Sequence, residues 1–246
     1  MSKSKNKFMI LGCGHSESLE HFNNNAIIIT SAGNMLIDCG YTIKHALHAQ
    51  SMSIRDIDSI FITHVHGDHV FGLERVAYES KFKYNKRVEL IIHAGIYKEL
   101  WEQTLKGSLG VNGDGEAELT DYFDVTIING RYFKFHDINI ELVPVNHTPG
   151  KCTHGIVINK KIFYSSDTIA IPEIINQHSF EVGFHDVTFS NYNPVHATIF
   201  SLIESYPFYV RDKLYLMSYE DSWGDYIDLV SNNFKGLAVQ GMVVDI

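Results

Sequence analysis

Four side chains able to hold a metal fall within six residues, His64-Val65-His66-Gly67-Asp68-His69, directly behind the apolar run Ile60–Thr63. On an extended chain His64 and His66 are two apart, so their rings leave the same side. Gly67 permits a sharp turn, after which Asp68 and His69 point back from its other side. Four such ligands would crowd one ion but can serve two, so the segment reads as half of a dinuclear centre. Imidazole and carboxylate together suit zinc. Water acidified by zinc is a nucleophile near neutral pH, so such a centre hydrolyses without a serine or cysteine. The bland reading is a solvated polar loop that binds nothing. Three histidines and an aspartate stacked behind a strand argue against it.

These residues need a frame. Strand-length apolar runs bounded by Gly, Asn, Asp or Lys recur at Phe8–Leu11, Ala26–Thr30, Met35–Ile37, Ile60–Thr63, Val88–Ile92, Val125–Ile128, Ile138–Val145, Ile156–Ile158, Lys161–Tyr164 and Val187–Phe189. Helical patterns are expected over Ile43–Ala49, Phe71–Lys83, Ile96–Leu105, His196–Tyr206 and Gly224–Phe234. Antiparallel-looking groups come first and strands then alternate with helices, which predicts an α/β chain with helices flanking packed mixed sheets. No repeat or linker divides residues 1–246, so one domain is expected. Lys106–Glu118 carries four glycines and reads either as a floppy surface loop or as a lid, or subunit-exchanged flap, over the site.

The 246 residues are 45% hydrophobic and 20% charged, ordinary for a globular protein. The net charge of −9 argues against wrapping a long nucleic acid, which calls for a clustered basic face. A small anion held by a local cation remains open. Three cysteines, Cys13, Cys39 and Cys152, make an odd, sparse set that reads as reduced thiols and not as a disulfide framework. The apolar run Phe8–Leu11 is too short for a signal-peptide core or a membrane span, so a soluble, cytoplasmic protein without membrane association is expected. The histidines at 15, 21, 45, 48, 93, 136, 154 and 178 receive no metal role. C-terminal aromatics from Tyr206 to Tyr226 read as core or dimer surface, and one or two would suit stacking on a nucleobase.

The His64-x-His66-x-Asp68-His69 signature resembles that of the metallo-β-lactamase fold, and further positions follow in the expected order: Asp38 in Leu36-Ile37-Asp38-Cys39-Gly40, His147 in Val145-Asn146-His147-Thr148, and Asp167 in Tyr164-Ser165-Ser166-Asp167-Thr168. The resemblance implies a four-layer αββα sandwich with two mixed β-sheets. It also implies two Zn²⁺ per subunit. One would be held by His64, His66, His147 and Asp167, the other by Asp68, His69 and the shared Asp167, with Asp38 bracing the loop. An Asp at the shared position, where a Cys could stand, weighs against a β-lactamase.

The C-terminal part is similar to the tRNase Z branch of phosphodiesterases. His185-Asp186-Val187-Thr188-Phe189 looks like that branch's His-Glu-Ala-Thr segment, and His196-Ala197-Thr198 like its His-Ser-Thr segment. Carried over, Asp186 orients His196, His196 protonates the leaving oxygen, and Asp68 positions the attacking water. Two departures stand out. Where the branch places its last zinc-binding histidine this chain has Ser218, so the second ion has fewer ligands, binding more weakly and tolerating Mn²⁺, or borrows His196. From His147 to Asp167 there are only 20 residues, with no room for the long tRNA-gripping arm. A compact, armless enzyme of this branch resembles the phage anti-Pycsar proteins. That implies a homodimer hydrolysing 3′,5′-cyclic mononucleotides, cCMP and cUMP among them, in the cytoplasm of a host bacterium, with no stable nucleic-acid partner. The alternative is a tRNase Z-type endoribonuclease processing tRNA 3′ ends, and a third reading is a binding module that sequesters a ligand.

Overall fold

Alternation along each strand decides which side of a sheet its residues cover. In Ser59–Ile62, Phe61 packs into the apolar layer shared with the second sheet, while Ile60 and Ile62 pack on the opposite side against helices. Both faces of this strand are buried, so it reads as a continuous apolar run. The computed structural model describes residues 6–246; the first five, counted within the expected domain, lie outside the described residues.

In chain order the strands are β1 (Lys7–Gly12), β2 (Asn25–Ile29), β3 (Asn34–Ile37), β4 (Ser59–Ile62), β5 (Val88–His93), β6 (Val111–Asn112), β7 (Gly115–Glu116), β8 (Phe123–Ile128), β9 (Tyr132–Phe135), β10 (Ile138–Pro144), β11 (His154–Ile158), β12 (Ile162–Tyr164), β13 (Val182–Asp186), β14 (Leu214–Met217), β15 (Gly236–Leu237) and β16 (Val243–Asp245). One seven-stranded sheet runs β16-β1-β2-β3-β4-β5-β8 and the other β15-β14-β13-β12-β11-β10-β9. Each is antiparallel over one half and parallel over the other: β3, β4, β5 and β8 are parallel neighbours, as are β12, β13, β14 and β15. The apolar inner faces of the two sheets meet in one core. Helices Ile43–Ala49 and Leu73–Tyr78 and the turns around Trp101 cover the first sheet. Helices Ile199–Ser205, Phe208–Arg211 and Ile227–Asn233 contribute to the layer on the second. This is the expected αββα sandwich with two mixed sheets.

Several expected elements are corrected. Val187–Phe189 is no strand: β13 ends at Asp186, and beyond it Thr188 leaves the sheet to exchange backbone hydrogen bonds with Ala197 and Ile199. Its buried apolar residues imitate a strand because they cover the core while the chain turns toward the site. The helix expected from His196 begins at Ile199, capped by Thr198, whose hydroxyl accepts the Ser201 amide at 3.1 Å. The stretch expected as one helix from Phe71 to Lys83 begins only at Leu73, after a turn at Phe71 and Gly72, and ends in a π-turn over Glu79–Lys83. Asp221–Tyr226 forms a 3₁₀ turn before Ile227–Asn233. The glycine-rich segment is not a structureless loop. Lys106–Leu109 makes a helical turn, β6 and β7 form a small hairpin, and Tyr122 Oη donates to the Leu109 carbonyl at 2.8 Å. Strands β6, β7, β9, β13, β14, β15 and β16 have no counterpart among the expected runs. Among the described residues no helix is long and apolar enough to cross a membrane.

Phe61 is fully buried, with its ring centroid 5.3 Å from that of Phe133 across the sheets. Phe61→Ala is expected to lower unfolding free energy by about 3–5 kcal/mol, since the cavity adds to the lost burial. Tyr192→Ala, at a site 79% exposed, should change it by no more than about 0.5 kcal/mol. Urea denaturation of both variants checks the pair.

Candidate metal centre

The C-terminal ends of parallel strands gather the chemistry, where crevices open in such sheets. Asp38 follows β3, His64 to His69 follow β4, Asp167 follows β12, Asp186 closes β13, and His147 arrives from the end of β10. Three non-glycine residues beside these ends, Asp38, Ser166 and Ser218, hold left-handed backbone with φ of 62°, 55° and 63°. Such conformations cost of order 1–3 kcal/mol each and persist where the surroundings over-determine them.

Asp38 supplies that determination at the first position. Its buried carboxylate accepts the Thr63 amide at 2.8 Å, the Thr63 hydroxyl at 2.8 Å and the His69 Nδ1–H at 2.7 Å. Burial alone would raise its pKa and does, although His69 and Thr63 work in the opposite direction. The Ser166 hydroxyl donates to Thr63 Oγ1 at 2.8 Å. Because the Thr63 hydroxyl already donates to Asp38, His64 Nδ1–H donates to Thr63 Oγ1 at 3.0 Å. His147 Nδ1–H donates to the Val195 carbonyl at 2.8 Å. These partners fix the tautomers of His64, His69 and His147, so each presents its Nε2 inward, the arrangement outer partners impose on metal-ligating imidazoles.

The inward atoms converge. His66 Nδ1 lies 3.1 Å from His64 Nε2 and 3.0 Å from His147 Nε2. Asp167 Oδ2 lies 3.3 Å from His69 Nε2, 3.8 Å from His64 Nε2 and 3.9 Å from His147 Nε2, and Asp68 Oδ2 is 3.4 Å from His69 Nε2. Two groups result whose ligand atoms all lie within 4.8 Å of one another: His64, His66, His147 and Asp167, and Asp68, His69 and Asp167. Burial, reinforced by the neighbouring imidazoles, pushes His64 well below the ordinary histidine pKa despite Asp167, whereas Asp167, Asp68 and Asp38 outweigh burial and hold His69 well above it, so a metal ion must displace the His69 proton.

These residues fit a divalent metal. Asp167 Oδ1 is buried without a hydrogen-bond partner, an arrangement too costly to leave unmet, and His69 Nε2 faces only the Asp68 and Asp167 carboxylates at 3.4 and 3.3 Å. The imidazole and carboxylate donors are those that zinc takes. His66 and Asp68 are only half-buried, so the cluster opens to solvent on their side.

Next to this cluster Asp186 Oδ2 accepts from His196 Nδ1–H at 2.8 Å, and Asp167, Asp186 and His196 form a third mutually close group. Burial opposes charge on His196, but Asp186, then Asp167 and Asp68, outweigh it and raise its pKa to about 9. His185 faces the other way. Its Nδ1–H donates to the Asp186 carbonyl at 2.7 Å and its Nε2 accepts from the Tyr206 hydroxyl at 2.8 Å. Ser218, at the position where the tRNase Z branch carries its last histidine, is buried, and its amide donates to the Cys13 carbonyl at 2.8 Å. On the neighbouring segment the His15 amide donates to Tyr219 O at 2.9 Å, and the His15 ring stands 5.4 Å from that of His196. Nothing in the sequence marks His15; only the pairing of the chain after β1 with the chain after β14 brings it here. The contacts of the glycine-rich segment go instead to Tyr78, Trp101 and Tyr122, away from this cluster.

Two predictions follow from this geometry. Asp38→Asn removes one of the acceptor oxygens that Thr63 and His69 share, so it should weaken zinc binding about 10–100-fold in competition with a chromophoric chelator. Burial lowers the pKa of His185 to about 4, below the 6.5 of an unperturbed histidine. Between those values the unfolded chain takes up a proton that the folded chain does not, so stability falls as pH drops from 6.5 toward 4. His185→Gln keeps a donor and an acceptor but cannot titrate. Its stability, followed by urea unfolding across that window, should lose up to about one proton of pH slope.

The family described as Anti-Pycsar protein Apyc1 matches residues 6–244. An Anti-Pycsar protein Apyc1 from Paenibacillus sp. (strain J14) is 36% identical over 221 residues, covering 87% of this chain and 89% of that one. Another from Bacillus phage BSP38 is 33% identical over 231 residues, 88% of this chain and 90% of its own length. Among solved structures, a diphosphatase from the PhnP family superposes with a TM-score of 0.76 at 15% identity, covering 98% of both chains, and the metallo-β-lactamase fold protein YhfI from Bacillus subtilis with a TM-score of 0.76 at 12% identity, covering 99% of this chain and 100% of that one, which shows the shared metallo-β-lactamase fold. With the sandwich, the His/Asp clusters and this coverage together, the chain belongs to the Anti-Pycsar Apyc1 family of metallo-β-lactamase-fold phosphodiesterases.

Proposed function

We propose that this chain, as one domain over residues 1–246, hydrolyses 3′,5′-cyclic mononucleotides, including cCMP and cUMP, to linear nucleoside monophosphates. It would thereby counter bacterial cyclic-nucleotide (Pycsar) signalling against phage, acting as a homodimer in the bacterial cytoplasm. The observation that carries the reading is the His196–Asp186 pair set directly against the His/Asp cluster. His64, His66, His147 and Asp167 would hold one zinc ion, and Asp68, His69 and Asp167 the other. Bound there, the ions supply Lewis-acid neutralisation of phosphate charge and acidification of water. Without a histidine at Ser218 the second ion has three protein ligands, so it is the more weakly held and the more tolerant of Mn²⁺.

The chain's own groups do the rest. Asp68, at the open edge of the cluster, accepts a proton of the attacking water and aims it. Asp186 fixes the His196 ring through Nδ1, leaving Nε2–H to protonate the departing ribose oxygen. The Asp186 carboxylate raises the His196 pKa against its burial and so favours the protonated ring. The β11–β12 hairpin fills the interval between His147 and Asp167 with no protruding arm, and the net charge is −9; both favour a small phosphodiester over tRNA.

Zinc-loaded protein incubated separately with cCMP, cUMP, cAMP, cGMP and a 3′-extended tRNA should yield linear nucleotides, and EDTA should stop the reaction. Trimmed tRNA beside untouched cyclic nucleotides would overturn the reading in favour of a tRNase Z. His66→Ala and Asp68→Ala should each abolish turnover with circular dichroism unchanged. His196→Asn should lower kcat by about 10²–10⁴-fold with little change in KM.

A further inference from the structure

A second set of metal-capable side chains lies outside the centre and has no part in the chemistry above. His93 closes β5 in the first sheet, Cys152 stands in the loop after His147, and His154 opens β11 in the second sheet. Cys152 Sγ is 3.6 Å from His93 Nδ1 and 3.8 Å from His154 Nδ1, and the two imidazole centroids are 4.5 Å apart. One ligand atom from each residue falls within 4.8 Å of the others. A tetrahedral zinc ion, with Zn–S near 2.3 Å and Zn–N near 2.1 Å, separates sulfur from nitrogen by about 3.6 Å. The two S···N distances, 3.6 and 3.8 Å, are close to that spacing.

We propose that His93, Cys152 and His154 form a further metal site, separate from the His/Asp centre and selective for a thiophilic divalent ion such as zinc. Two imidazoles and a thiolate are a borderline-soft donor set, distinct from the nitrogen and oxygen donors of the centre. Three protein ligands leave a fourth position for water, and half-buried His93 and Cys152 give the ion a route from solvent. Glycine at position 95 keeps the space clear, since a Cβ there would stand 2.8 Å from Cys152 Sγ and 3.1 Å from His93 Nδ1. The Gly95 amide donates to His93 Nδ1 at 3.1 Å; Gly95 is exposed, so that amide can turn to water when the ring nitrogen takes a metal. Burial, with His93 and Arg131 adding, lowers the His154 pKa to about 4 and keeps its ring neutral. Burial and Glu99 raise the Cys152 thiol, so the ion must displace its proton.

An ion here would join one sheet to the other beside the centre. The His154 amide donates to the Thr63 carbonyl at 3.2 Å, and Thr63 is the residue that Asp38 holds in front of His64. Neighbouring Lys151 donates to the Val65 carbonyl at 3.2 Å and pairs with Glu99. The site would therefore brace the metal-binding loop from behind without touching substrate.

Cobalt is the probe. The centre offers only nitrogen and oxygen, and Cys13 and Cys39 are fully buried in the apolar core, so a thiolate-to-cobalt charge-transfer band in the near ultraviolet can arise only at Cys152. The full-length protein loaded with Co²⁺ should show that band, and Cys152→Ser should abolish it. Zinc content after dialysis should fall by one ion per chain in Cys152→Ser and in His93→Asn. No band in the wild type, a band that survives Cys152→Ser, or unchanged zinc content in both variants would overturn the proposal. None of these readouts depends on hydrolysis of any nucleotide.

Discussion

A single buried carboxylate organises the centre. Asp38 ties the amide and hydroxyl of Thr63 and the imidazole of His69 to one point between β3 and β4. A charge fully out of water costs several kcal/mol unless its lone pairs are met, so the carboxylate and its three donors form or fail as a unit. Thr63 then passes the constraint to His64, and Ser166 joins from the far sheet through the Thr63 hydroxyl. Hydrogen bonds therefore set the directions of the imidazoles before any substrate arrives, which is what preorganisation of a metal site requires.

The sheets make this convergence possible. Each changes from antiparallel to parallel pairing part-way across, and the loops beyond the parallel strands of both sheets meet at one edge of the sandwich. Asp38 and the His64–His69 segment come from one sheet; Asp167 and Asp186 come from the other. The core between the sheets is apolar and continuous, so the polar groups at its rim have nowhere else to turn. Buried Asp167 keeps an oxygen that no protein group satisfies. That residual demand is the physical reason to expect a divalent ion.

Much of this was legible in the sequence because metal ligation leaves tight local spacing. The His64–His69 segment, Asp38, His147 and Asp167 stand out as residue types in short motifs behind strands, and the structure gathers all of them. The Asp186–His196 pair was legible through its resemblance to a phosphodiesterase segment. What stayed hidden depends on contacts far apart in the chain. His15 reaches His196 only because the chain after β1 pairs beside Tyr219, more than two hundred residues later. His93 meets Cys152 and His154 only because strands of different sheets end side by side. Val187–Phe189 misled because buried apolar residues have the same appearance in a strand and in a turn that covers a core. Strands β9 and β14 were missed as short runs interrupted by lysine or tyrosine, where pairing with neighbours outweighs local pattern.

Two ions sharing Asp167 would be seen directly in crystals grown with zinc and measured on both sides of the zinc absorption edge. Two anomalous peaks a few ångströms apart are expected, one among His64, His66 and His147, the other beside Asp68 and His69, with Asp167 between them. A single peak that leaves Asp167 or His69 uncoordinated, or no peak at the cluster with the imidazoles hydrogen-bonded to one another, would contradict that sharing.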